Sequence, residues 1–135
     1  MSLKTHKTKA MKFLSDEILE DALINAMELG SNYWFYLPEE ELDKVRCAIG
    51  NDGVMSLSEK IVKAVMKKGV VLDVYDIEEP DEKIGELDFS NWGGRLGLCY
   101  EEERWAIDAE SDGQGDAETS DVILQYLTLG SIVYG

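Results

Sequence analysis

The chain is poor in histidine, cysteine, proline and positive charge: one His, two Cys and two Pro in 135 residues, with 13 Lys and Arg against 28 Asp and Glu. Each shortage excludes something. His6 is alone and sits among lysines near the start, so a Ser-His-Asp or Cys-His catalytic arrangement would need that stretch folded into a site. Cys47 and Cys99 stand apart, with no CxxC and no neighbouring histidine. That excludes a zinc or thioredoxin-like site and reads as two reduced core thiols. Neither GxGxxG nor GxxxxGK[ST] occurs, so no phosphate-binding fingerprint is written either. No apolar run reaches the roughly 18 to 20 residues of a membrane span, and no apolar leader opens the chain, so a soluble cytoplasmic protein is expected.

What the chain does have is 44% hydrophobic residues and an acidic excess, with a formal charge of −15. That apolar content is enough for one core in a domain of this length. The charge is uneven. Lys4, Lys7, Lys9 and Lys12 make residues 1–13 a basic tail, expected to be flexible, while residues 14–135 hold 9 cationic against 28 anionic side chains, a net of −19. Between Asp73 and Glu118 there are 16 acids against Lys83, Arg95 and Arg104. Such a field repels phosphates and favours cationic partners, so nucleic acid and membranes are not expected ligands.

Residues 14–135 read as a single α+β domain, a small antiparallel β-sheet with about three helices on one face. Ser15 caps a first helix whose apolar stripe runs from Ile18 to Met27 and stops at Gly30. The aromatic run 31–37 suggests a strand that Pro38 ends, and 39–50 suggests a helical turn or two before an NDG turn at 51–53. Ser56 and Glu59 have capping-box spacing for a second helix ending at Gly69. Residues 70–76 change period, with Leu72 and Val74 facing one way and Val71, Asp73 and Tyr75 the other. A PDEK turn at 80–83 implies a hairpin, and the segments GRLGLCYEE and RWAIDAE imply two more short strands. Asp116 caps a last helix with Val122, Ile123, Tyr126 and Leu127 as its stripe, after which SIVY finishes as a strand or an apolar tail.

Three stretches invite chemistry. AESDGQGDAETSD, 109–121, resembles a calcium loop: counted from Asp108, Glu110 and Asp112 take ligand positions and Gly113 the turn. The twelfth position is Thr119, however, and Glu118 misses it by one residue, so an acidic approach to a helix N-terminus is the expectation and no metal or cofactor is assigned. FSNWGGRLG, 89–97, offers Trp92 for stacking, bare backbone at Gly93 and Gly94, and the forked donors of Arg95. Its alternative is a hairpin turn with an ordinary tryptophan. Tyr33 and Trp34 lie in an aromatic run that would alternate between core and surface, and Arg104 with Trp105 adds a further cation and ring. With no catalytic set to write, a carboxylate- or metal-dependent hydrolase is the least favoured class.

The combination of GSNYW at 30–34, VLDVYD at 71–76 and the tail DAETSDVILQYLTLGSIVYG at 116–135 resembles small proteins encoded by phages and prophages of gut bacteria. In these, a helix opening DAE-x-x-D and closing on Q-Y, G and V-Y-G ends the chain. The resemblance implies an anti-defence role without catalysis. One form is a homo-oligomer that sequesters a small ligand, a cyclic or modified nucleotide signal, through Trp92, Gly93, Gly94, Arg95, Arg104, Trp105, Tyr33 and Trp34. The other is an acidic module or DNA mimic that occupies a basic host protein.

Overall fold

Side-chain caps decide where three of the six described α-helices begin. In the computed structural model, which describes residues 14–50 and 53–135, Ser15 Oγ accepts the Ile18 N–H at 3.2 Å and opens α1, Asp16–Asn25. The basic tail at 1–13 and the first two residues of the NDG turn lie outside the described residues. α1 widens into a π-helical turn, Ala26–Gly30. A Cβ on Gly30 would lie 2.2 Å from the Ala117 carbonyl oxygen, so a bare backbone is required for the last helix to approach.

The expected strand at 31–37 shrinks to β1, Phe35–Tyr36, because the Ser31 carbonyl accepts from both the Trp34 and Phe35 N–H groups and holds 31–34 in a turn. α2, Glu39–Ile49, is a full helix of 11 residues where only a turn or two was expected; Glu39, Glu40 and Glu41 load its positive end. α3, Leu57–Lys68, starts at Ser56, whose Oγ accepts the Glu59 N–H, and ends at Gly69 in the left-handed region. Cys47 on α2 is exposed rather than in the core; Cys99 is buried and both are unbridged.

β2, Leu72–Asp76, and β3, Glu79–Leu87, complete a three-stranded antiparallel sheet in the order β1-β2-β3. Leu72 and Val74 are buried while Asp73 and Tyr75 face outward, as their alternation predicts. PDEK is not the turn. Asp76 Oδ1 accepts the Glu78 N–H at 2.9 Å and places the turn at 77–78. Asp76 then pairs with Glu79 but Tyr75 with Lys83, so residues 80–82 bulge out of the ladder.

The largest correction concerns 89–111, which is helical and not a pair of strands. A 3₁₀ turn, Phe89–Asn91, leads into α4, Trp92–Glu102, and then α5, Arg104–Ser111. Asp88 Oδ1 accepts both the N–H and the hydroxyl of Ser90, which starts the turn. Trp92, Leu96, Cys99 and Tyr100 then fall on one helical face and are buried, as are Ala106 and Ile107 of α5. The fold is therefore α+β with the expected antiparallel sheet, but six α-helices are described rather than about three.

α6, Ala117–Leu129, is the centre. Asp116 Oδ1 accepts the Thr119 N–H at 2.9 Å while Thr119 Oγ1 accepts the Asp116 N–H at 2.8 Å. Every residue from 119 to 128 is buried, which marks a helix surrounded on all sides. It packs against α1, the π turn, α4, α5 and β3. A Cβ on Gly85 would come 2.3 Å from the Thr128 carbonyl, so glycines admit neighbours at both ends of α6. Residues 131–135 run on as an extended apolar tail without regular structure. No described helix is long and apolar enough to cross a membrane.

Candidate functional site

A helix enclosed on all sides must satisfy its polar side chains internally, and α6 carries several. Asp121 is 9% exposed. Its Oδ1 accepts from Ser31 Oγ and Trp34 Nε1, each at 2.8 Å, and its Oδ2 from Tyr33 Oη at 2.7 Å and Gln125 Nε2 at 3.2 Å. Four donors match the four lone-pair sites of a carboxylate. All four are neutral. Among the described residues, the ion pairs involve other acids and leave Asp121 without a cation.

Gln125, one turn on, binds the tail. Its Oε1 accepts the N–H groups of Val133 and Tyr134 at 2.8 and 2.9 Å, and its Nε2 also donates to the Tyr134 carbonyl at 3.0 Å. Tyr134 stacks on Trp34 with centroids 5.2 Å apart and planes 7° from parallel, and its hydroxyl donates to Asp76 Oδ2 at 2.8 Å. Burial and the Asp121 carboxylate push the Tyr33 hydroxyl up to about 12, and burial with Asp76 does the same for Tyr134. Both remain protonated donors at neutral pH. GSNYW, the β2 aspartate and the C-terminal tail thus meet in one hydrogen-bonded unit.

Against this unit opens a cleft of about 290 Å³, walled by Tyr33, Trp105 and Tyr134, with Glu118, Asp121 and Gln125 as its polar lining. Tyr33 and Trp105 are 45% and 47% exposed. The Trp105 indole N–H donates to the Glu103 carboxylate, which fixes the ring. Glu118, in the first turn of α6, is exposed.

The eight residues expected to bind ligand do not share one pocket. Tyr33 and Trp105 line this cleft, and Trp34, 1% exposed, supports it from beneath. Trp92 is 2% exposed against Phe89, and with Gly93 it lines a separate hollow of about 140 Å³. Gly93 and Gly94 lie in the first turn of α4, not in a hairpin. Arg95 Nη1 donates to the Tyr126 carbonyl at 3.2 Å, and Arg104 lies 3.5 Å from Asp108 with its guanidinium over the Tyr100 ring. Asp121, Gln125, Glu118 and Tyr134 were not singled out as site residues; the available signal was an Asp and a Gln one turn apart on either side of the apolar run 122–124.

The acidic loop is tied to the same helix. Glu110 Oε1 accepts the hydroxyls of Thr119 at 2.8 Å and Ser120 at 3.0 Å, and Asp116 is the α6 cap. Among the described residues, no three His, Cys, Asp or Glu side chains gather as metal ligands. Comparison with protein-family models, curated proteins and solved structures gave no match to this chain.

Proposed function

We propose that the protein is a non-catalytic binding module whose acidic surface engages a basic protein. The carrying observation is that six of the nine cations of residues 14–135 are occupied within the protein, while Lys60, Lys67 and Lys68 of α3 enter no ion pair among the described residues. Lys44 pairs with Glu41, Arg46 with Glu39 and Asp43, Lys63 with Glu20, Lys83 with Asp73 and Glu86, and Arg104 with Asp108. Arg95 is turned onto a backbone carbonyl. The acids of the β3 bulge, Asp81 and Glu82, and those at Glu101, Glu102, Asp112 and Glu118 are exposed. A second acid-lined hollow of about 410 Å³ lies between Glu40, Glu41, Tyr75 and Asp81. The long-range field therefore attracts cations and opposes phosphates. Nucleotide capture, the other expectation, calls for cations converging on a stacking ring, whereas Arg95 is bonded to the Tyr126 carbonyl and the Trp92 ring is buried against Phe89. The resemblance to phage accessory proteins makes a host protein the natural partner class.

Fluorescence anisotropy with an arginine-rich peptide at 50 and 300 mM NaCl tests this reading. Binding should fall by at least tenfold over that range, and Asp81→Lys with Glu82→Lys should weaken it further. Saturable calorimetric binding of a cyclic dinucleotide, with no peptide binding, would replace it with ligand capture.

A further inference from the structure

We infer that the cleft between Tyr33 and Trp105 is a pocket for one arginine side chain of that partner, an inference that rests on the acidic-module reading and assigns its central contact. Asp121 supplies the first argument. Its lone pairs are filled by neutral donors, so its geometry is satisfied while its charge is not, and a buried charge without a counter-ion leaves a standing negative potential where the cleft opens. The second is Glu118, exposed on the cleft lining and in none of the ion pairs of the described residues, which leaves its carboxylate to receive a forked donor.

The walls complete the chemistry. Half-exposed indole and phenol rings wall the cleft where a cation could stack on them, and the Trp105 ring is held by Glu103, so less ordering is needed on binding. A volume of about 290 Å³ lies at the small end of ligand pockets and suits the end of a side chain better than a dinucleotide. Guanidinium is favoured over ammonium because it is flat, weakly hydrated and able to stack while donating in its own plane. Trp105 is then the platform, Glu118 the direct acceptor, and Asp121 a fixed source of potential that never leaves its donors.

The probe is N-ethylguanidinium, with N-ethylurea as its neutral counterpart, followed through the Trp105 indole and Gln125 side-chain signals in ¹H–¹⁵N spectra. Saturable shifts are expected with the cation only. Apparent affinity should drop at least fivefold in Trp105→Ala and in Glu118→Gln, both on exposed residues, with thermal unfolding used to verify that each variant folds. Equal shifts from both probes, or none from either, would overturn the pocket. The arginine-rich peptide separates the two ideas. Undiminished peptide binding by Trp105→Ala keeps the acidic module and removes the pocket; probe binding without peptide binding keeps the pocket and removes the module.

Discussion

Glu41 and Asp121 are both buried carboxylates, 6% and 9% exposed, yet their surroundings differ in kind. Glu41 sits at the head of α2, where one oxygen accepts the Asp73 N–H at 2.7 Å and the Lys44 ammonium at 2.8 Å, so its charge is balanced by a cation of its own helix. Asp121 has no such cation and is held by four neutral donors, three from the 31–34 turn and one from its own helix. A balanced carboxylate staples an element to a sheet. An unbalanced one fixes neighbouring donors and also projects charge, and only the second borders the aromatic cleft.

Breaking the comparison starts with Asp121→Ala, which strands the buried donors of Ser31 and Trp34. A loss of about 3–5 kcal/mol is expected in urea denaturation. Glu41→Ala removes one acceptor and a pair whose lysine is half-exposed, and about 1–2 kcal/mol is expected by the same measurement. Equal losses would show that the two sites are energetically alike. Salt sharpens the contrast: in 1 M NaCl the deficit of Glu41→Gln should shrink, while that of Asp121→Asn should not.

The smallest effect is alkaline. Tyr33 and Tyr134 are raised to about 12 in the fold from an ordinary 10.0, so above roughly pH 10 the unfolded chain loses protons that the folded chain keeps. Their contribution to stability is complete below pH 10 and is lost towards pH 12. Tyr134→Phe should cost about 1 kcal/mol at neutral pH through its lost bond to Asp76 and should show a shallower decline than wild type between pH 10 and 12, followed by melting temperature.

The parts of this fold that could be read in advance are those fixed by near neighbours. Ser15, Ser56 and Asp116 cap helices within three residues of themselves, and the alternation of Leu72 and Val74 belongs to one strand. α4 was hidden because Gly93, Gly94 and Gly97 interrupt it and lower its intrinsic helical preference, so its burial against α6 decides its form. The site was hidden for a different reason. Ser31 and Asp121 lie 90 residues apart, and nothing local to either one specifies the other. Tyr33 and Trp105 could be picked as aromatics, but the cleft they share with Glu118 and Asp121 forms only when distant segments meet.

The β3 bulge has a consequence for how this molecule meets others. β1 is two residues long, the outer part of β3 throws Pro80, Asp81 and Glu82 out of register, and one face of its inner part packs on α6 at Gly85. A foreign strand laid along β3 would therefore lose its register where residues 80–82 leave the ladder, and β1 offers only two residues to extend. Strand addition to this sheet is disfavoured at the bulge, where Asp81 and Glu82 stand exposed beside Pro80. The proposed recognition would then rest on side chains, the exposed acids and the two half-exposed rings, rather than on backbone pairing.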